Sequence, residues 1–293
     1  MNKKELSERD ICTKFIIPAL SRAGWDKMDQ LREEVSFTKG RVIVHGKVVA
    51  RGEAKRADII LDYKPGLPIA LIEAKENNKN PGDGMQQALA YAETLNIPFV
   101  FSSNGDAFVF HDRTSTDPKK LETTLALHEF PSPQSLWEKY RAWKGLSPEQ
   151  EELVLSDYYN YSGSLKPPRY YQVNAINAAI LAIAKGQKRI LLVMATGTGK
   201  TYTAFQIIWR FWKSGTNRRI LFLADRNILV DQTMVNDFRP FGGAMAKLST
   251  ESKTIVFLAS RPRPRKPNTF PISTTLASPC TPIPLNKAFK TAF

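Results

Sequence analysis

The stretch that decides the fold is Arg56-Ala57-Asp58-Ile59-Ile60-Leu61-Asp62-Tyr63-Lys64-Pro65-Gly66-Leu67-Pro68-Ile69-Ala70-Leu71-Ile72-Glu73-Ala74-Lys75. Two short apolar runs, Ala57 to Tyr63 and Ile69 to Ala74, flank a Lys-Pro-Gly-Leu-Pro turn, so adjacent strands are expected. Residues two apart on a strand point to the same face, which lets Glu73 and Lys75 reach one point with Asp58 alongside. Two carboxylates suit a hard cation such as Mg²⁺ bound through oxygen. Such an ion polarises a phosphodiester and makes hydroxide from water, and Lys75 can steer that water. Taken alone, the same spacing also fits a strand-edge salt bridge.

Working outward, residues 7–23 are expected as an amphipathic helix capped by Ser7, with Ile11, Phe15, Ile16 and Leu20 near helical spacing. Arg41 to Ala50 alternates around His45-Gly46, as a hairpin does. Gly84 to Leu95 is helical in pattern, and Pro98 to Ser102 and Ala107 to His111 are strands joined by an Asn104-Gly105 turn. Gln87 and Tyr91 stand four apart, on one helical face. Glu8 is a further acid on the first helix, either an extra ligand or a solvated charge; the histidines are isolated.

Residues 131–168 are punctuated by Pro131, Pro133, Gly145, Pro148, Pro167 and Pro168, with helical patches at Leu136–Trp143 and Pro148–Leu155. This stretch reads as a linker between a domain of residues 1–130 and a second of residues 169–253. The second has a different grammar: helix Tyr171 to Lys185, buried strand Arg189 to Met194, helix Lys200 to Lys213, strand Arg219 to Ala224, helix Asn227 to Phe238. That alternation implies a parallel α/β sheet. Between its first strand and helix lies Met194-Ala195-Thr196-Gly197-Thr198-Gly199-Lys200-Thr201. Strand, glycine loop and helix N-terminus form the setting that a phosphate-binding loop requires. Gly197 and Gly199 let backbone N–H groups turn towards phosphate oxygens, Lys200 adds positive charge, and the Thr201 hydroxyl can ligate Mg²⁺.

Net charge +14 and a pI near 9.7 favour a polyanionic partner. Two cysteines, Cys12 and Cys280, form neither a disulfide framework nor a metal spacing, which suggests a reducing, cytoplasmic setting. No apolar stretch has the length of a membrane span. Beyond Lys253 the text turns proline-rich and free of acids, as in Arg261-Pro262-Arg263-Pro264-Arg265-Lys266-Pro267. Residues 254–293 are therefore expected to be disordered, and the abrupt change suggests a frameshifted end.

Several segments together resemble a known family. Asp58 and Glu73-Ala74-Lys75 match the pattern of PD-(D/E)xK nucleases, and Gln87 with Tyr91 resembles the Gln-x3-Tyr helix of their RecB-like subgroup. Residues 195–201 resemble the phosphate loop of superfamily-two helicases, although Met194 replaces the first glycine of the general pattern. Arg169-Tyr170-Tyr171-Gln172 resembles the adenine-recognising element of those motors, and Ala224-Asp225-Arg226 with Gln232 their next motif. Together, residues 1–253 resemble the N-terminal part of the restriction (R, motor) subunit of type I restriction–modification enzymes. The resemblance implies a mixed-sheet nuclease domain followed by part of a RecA-like domain. It implies Asp58 and Glu73 as Mg²⁺ ligands, Lys75, Gln87 and Tyr91 as further site residues, and Gln172, Thr196, Gly197, Thr198, Gly199, Lys200 and Thr201 on ATP and its Mg²⁺. Double-stranded DNA and the methylase and specificity subunits are the implied partners. No Asp-Glu-x-His string follows Lys200, so a truncated subunit with an idle motor is expected. A DNA-binding fragment without catalysis and a freestanding helicase-like ATPase are the alternatives.

Overall fold

Leu67–Ala74 is apolar at almost every position, the composition of a strand covered on both faces. In the computed structural model this strand, β5, lies inside a six-stranded sheet. The described residues are 2–38, 42–45, 48–51, 54–159, 168–216, 219–224, 238–247 and 255–260. They fall into two units, one of residues 1–151 and 160–174, the other of residues 152–159 and 175–293.

The first unit opens with a helical run, α1 (Glu8–Ile11), a π-turn (Cys12–Ile16) and α2 (Ile17–Arg22). Ser7 caps it: Ser7 Oγ accepts from the Asp10 N–H at 3.2 Å, and Asp10 Oδ2 accepts from the Ser7 N–H at 3.4 Å. Strands β1 (Leu31–Thr38), β2 (Val42–His45), β3 (Val48–Arg51), β4 (Ala54–Lys64) and β5 follow. The helix α3 (Met85–Leu95) then leads to β6 (Phe99–Ser103), β7 (Ala107–Asp112) and β8 (Glu122–Ala126). Spatial order is β1-β4-β5-β6-β7-β8, with β2 and β3 a separate hairpin. All ladders of the large sheet are antiparallel except β5–β6, which is parallel and bridged by α3. The expected hairpins and the α3 helix are all present. β1 and β8 were not anticipated, because Arg32-Glu33-Glu34 and Glu122-Thr123-Thr124 carry no apolar alternation.

The core has two faces. Under α3, Met85, Ala88, Tyr91, Ala92 and Leu95 pack on Phe37, Ala57, Ile60, Leu71 and Val100. A second cluster gathers rings: Phe101 stacks on Phe110 at 4.6 Å, and Phe130 lies 4.6 and 4.7 Å from Phe101 and Phe108. α4 (Pro133–Lys144), expected as a helical patch of the linker, buries Trp137, which stacks on Tyr63 at 4.6 Å and donates to Glu151 Oε1 at 2.5 Å.

In the second unit, α5 (Pro148–Val154) runs into a segment fixed to a long helix, α7 (Lys200–Lys213). Arg210 of α7 is buried. Its guanidinium donates to the Val154 carbonyl at 2.6 Å, the Ser156 carbonyl at 2.9 Å and Asn177 Oδ1 at 2.7 Å. Asn177 lies on α6 (Tyr170–Ala184). Strands β9 (Arg219–Ala224), β10 (Met245–Lys247) and β11 (Ile255–Ser260) form a sheet of order β10-β11-β9.

Three expectations are corrected here. The ladders of this sheet are antiparallel, not parallel. Residues 189–194 are not in a strand, and Leu191 and Val193 are 71% and 87% exposed. An apolar run states only that burial would be favourable; a strand needs a hydrogen-bonding neighbour, and none is assigned to this run among the described residues. Residues 255–260 form a strand where a patternless tail was expected, because Ile255-Val256-Phe257-Leu258 has strong strand propensity that the later prolines overshadowed. The helix expected at residues 227–238, Asp225, Arg226 and Gln232, and the tail from residue 261 lie outside the described residues.

Replacing Trp137 by Ala should lower stability by about 3–5 kcal/mol, the usual cost of emptying a large aromatic site. Urea denaturation followed by circular dichroism reads this; a loss below about 1 kcal/mol would mean that α4 is not an integral layer of the first unit.

Candidate active site

β4 and β5 run antiparallel with Ile59 opposite Ile72, so Asp58 and Glu73 lie side by side near one end of the hairpin. Asp58 Oδ2 accepts the Ala74 N–H at 2.8 Å, which ties the two strands at that level. Lys75 stands one residue past β5, yet its N–H still donates to the Ser103 carbonyl at 2.8 Å and prolongs the ladder with β6. Its ammonium donates to Glu73 Oε1 at 3.2 Å and to Glu8 Oε1 at 3.4 Å. Glu73 is 2% exposed, and its other oxygen, Oε2, is buried without a hydrogen-bond partner.

That orphaned oxygen dominates the electrostatics. Burial, then the charge of Asp58, push the Glu73 carboxyl up to about 8, against the downward pull of Lys75. Asp58 is also raised, mainly by burial, with the Ala74 N–H and Lys75 opposing. Lys75 loses basicity through burial but regains more from Glu73 and Glu8, so it stays charged. A buried carboxylate oxygen with no donor is costly unless a cation completes it. The two acids and the open Oε2 therefore fit a small divalent ion. Among the described residues no group of three or more His, Cys, Asp or Glu side chains gathers around one point, so backbone, water or phosphate oxygens would complete a coordination shell.

α3 is laid almost against this site. The Gly84 N–H donates to Ser102 Oγ at 3.2 Å. A Cβ on Gly84 would fall 2.7 Å from Ser102 Oγ, 3.1 Å from Glu73 Cγ and 3.2 Å from Lys75 Cε. Farther along α3, Gln87 Nε2 donates to Tyr91 Oη at 2.9 Å. Tyr91 is buried edge-on to Phe37 at 5.2 Å, with Lys55 Nζ 5.4 Å from its ring centre. The structure thus joins Asp58, Glu73 and Lys75 in one cluster and Gln87 with Tyr91 in another, farther along the same helix. Sequence reasoning left Glu8 open between ligand and solvated charge; its ion pair with Lys75 gives it a third place. It missed Gly84 and Ser102, although Gly82-Asp83-Gly84 before a helix signals close backbone approach.

In the second unit, Gly197 and Gly199 take φ of +77° and +83°, and α7 begins at once with Lys200. Thr198 Oγ1 donates to the Ala195 carbonyl at 2.6 Å, and Lys200 Nζ to the Met194 carbonyl at 3.4 Å, so the loop folds over its own lysine. Thr196 is exposed and Thr201 half-buried at the start of α7. Gln172 belongs to the first unit; it is buried, and its Oε1 accepts the Arg169 N–H at 2.8 Å.

Residues 5–119 match the family described as "Type I restriction enzyme R protein N terminus", and residues 165–268 match "Type III restriction enzyme, res subunit". The chain is 57% identical over 249 residues to the Type I restriction enzyme EcoAI endonuclease subunit of Escherichia coli, covering 85% of this chain and 31% of that protein. It is 31% identical over 287 residues to the EcoKI endonuclease subunit of E. coli strain K12, covering 78% of this chain and 23% of that protein. A solved fragment assigned as an HsdR subunit of a type I restriction enzyme from Vibrio vulnificus YJ016 superposes with TM-score 0.63 at 37% identity, over 82% of this chain and 44% of that one. The fold and the hairpin site define a restriction-enzyme protein with a nuclease-type N-terminal region and a helicase-like region. More particularly, the chain belongs to the type I restriction enzyme R subunits. It spans about a third or less of the length of the curated relatives that it matches.

Glu73 sets a pH test. Its folded pKa, about 8, lies above the ordinary 4.5, so the metal-free folded state holds a proton that the unfolded chain gives up. Stability from this group is full below pH 4.5 and declines as pH rises towards 8. In chelator, Tm should fall across that range in the wild type, and Glu73→Gln should flatten the fall and melt higher at pH 8. An equal slope in both proteins would remove Glu73 as its source.

Proposed function

We propose that the first unit is a Mg²⁺-dependent DNA endonuclease domain of the PD-(D/E)xK type, and that the second is the ATP-binding part of a superfamily-two DNA translocase. In this reading the boundaries are residues 1–130 for the nuclease, 131–168 for the connection and 169–253 for the motor part. The observation that carries the nuclease reading is the unpartnered Oε2 of Glu73 beside Asp58, with the Lys75 ammonium on the opposite oxygen. Asp58 and Glu73 hold Mg²⁺, which when bound supplies Lewis acidity to a phosphodiester and acidity to water. Lys75, kept charged by Glu73 and Glu8, orients the attacking water and offsets charge that develops on phosphate oxygens. The Ala74 N–H holds the Asp58 carboxylate in place throughout. Gln87 and Tyr91 support the DNA strand from α3. The duplex is drawn in by the chain's positive charge.

In the motor part, Thr196, Gly197, Thr198 and Gly199 offer the phosphate-facing backbone, Lys200 the charge, and Thr201 a hydroxyl for the nucleotide's Mg²⁺. Gln172 reads adenine. The left-handed glycines immediately before α7 support this assignment. The relatives' names place this pair of activities in a type I restriction enzyme, so the methylase and specificity subunits are the expected partners. Among the described residues no helix is long and apolar enough to cross a membrane.

Purified chain with supercoiled plasmid tests the nuclease. Mg²⁺-dependent nicking is expected; Asp58→Ala should abolish it and Lys75→Ala slow it by about 100-fold or more. Undiminished nicking in both variants would place the chemistry elsewhere. DNA retention that persists in chelator, with no nicking at any Mg²⁺ level, would instead make the chain a binding protein.

A further inference from the structure

The turn that carries Gln172 belongs to the first unit, and its anchorage there is not explained by the nuclease reaction or by nucleotide binding. Two ties bracket it. On one side, Tyr170 packs edge-on against Phe37 at 6.1 Å, and its hydroxyl donates to the Thr38 carbonyl. On the other, Asn174 Nδ2 donates to the Thr94 carbonyl at 3.2 Å. Thr94 lies on α3, and Phe37 is the ring that meets Tyr91 of α3 at 5.2 Å. The later turns of α3 thus hold the residues on both sides of Gln172.

The first turn of the same helix touches the carboxylate site. Gly84 approaches Glu73 and Lys75 so closely that no side chain fits between them, and its N–H is held by Ser102. α3 is eleven residues long, about three turns, and its interior side chains are locked in the core under it. A helix this short, packed this tightly, moves as one rod. Displacement of its Thr94 end is therefore carried to Gly84 at the other.

We propose that α3 links the adenine-reading turn to the metal carboxylates, with Tyr170 and Asn174 as positioning residues. Seating an adenine nucleotide on Gln172 fixes Tyr170 and Asn174. They in turn restrain α3 and hold Gly84 against Glu73 and Lys75. The proposal rests on the reading of Gln172 as the adenine contact. It requires no hydrolysis, because binding alone supplies the differential interaction between a restrained and an unrestrained α3.

The test uses the full chain in chelator, with a non-hydrolysable ATP analogue at saturation and hydrogen exchange read on residues 85–95. Wild type should exchange about fivefold more slowly with analogue than without it, at the lower end of ordinary coupling between sites. Tyr170→Ala/Asn174→Ala should still bind the analogue, seen by displacement of a fluorescent nucleotide, but show the same exchange with and without it. Tyr170→Phe keeps the ring on Phe37 and should retain most of the slowing, which separates positioning from simple loss of packing. If wild type binds the analogue and α3 does not respond, or if the double variant responds in full, the link is wrong while both sites stand. If wild type binds no adenine nucleotide, or Gln172→Ala binds it equally well, the Gln172 reading fails and the link falls with it.

Discussion

A carboxylate with one oxygen left unpaired inside a sheet is the constraint around which the first unit is built. β5 is covered on both faces because α3 lies over one and rings from β6 and β7 over the other. That double cover removes Glu73 from water. A surface pair of Glu and Lys at the same spacing would be worth a few tenths of a kcal/mol and would leave no trace in the pKa. Here burial lifts Glu73 by several units, and the Lys75 bond satisfies only one of its oxygens. Lys75 has a second acid, Glu8, which reaches it from the first helix. The Ser7 capping box that starts this helix is thus part of what keeps the lysine in place.

The same cover explains why Gly84 is glycine. Sealing Glu73 requires α3 to start directly above it, and a methyl group there would sit within 2.7 Å of Ser102 Oγ. Ser102 is itself fully buried and accepts the Gly84 N–H, so it has little room to retreat. The helix start, the site and the parallel β5–β6 ladder therefore constrain one another. A shift in any of them alters the desolvation that gives Glu73 its character.

Much of this was legible in the sequence, for physical reasons that differ by segment. The hairpin of β4 and β5 is written in two apolar runs and a Pro-Gly turn, and the acids interrupt those runs where nothing structural asks for them. Glu73 and Lys75 could be placed together because strand period is local. The Glu8–Lys75 pair joins residues 67 positions apart, and no local rule connects them. β1 stayed hidden because its outer positions are charged and its pairing is dictated by β4 rather than by its own pattern. The segment at residues 189–194 failed in the opposite way. Its apolar run reads as a buried strand, yet burial belongs to neighbours and not to the run itself. β11 was obscured by the prolines that follow it, although six apolar or small residues in a row are enough to make a strand.

The two halves differ in how completely their local signals agree with their packing. In the first unit, capping, turn chemistry, alternation and burial point to one arrangement, as expected of a sequence with little frustration. In the second, the phosphate loop has its glycines in left-handed conformations and its helix in place, but the apolar run leading into it is exposed. What organises the second unit is instead a polar device. Buried Arg210 gathers the carbonyls of Val154 and Ser156 together with Asn177, and Gln206 exchanges two hydrogen bonds with the backbone of Tyr159 at 3.0 and 3.1 Å. Both side chains project from α7, the helix that begins at Lys200, so residues 154–159 and the phosphate loop are registered to one element. Polar groups buried at this depth tolerate few alternative pairings. Arg210 and Gln206 thus fix the start of α7, and with it the loop, without the strand that the sequence pattern leads one to expect.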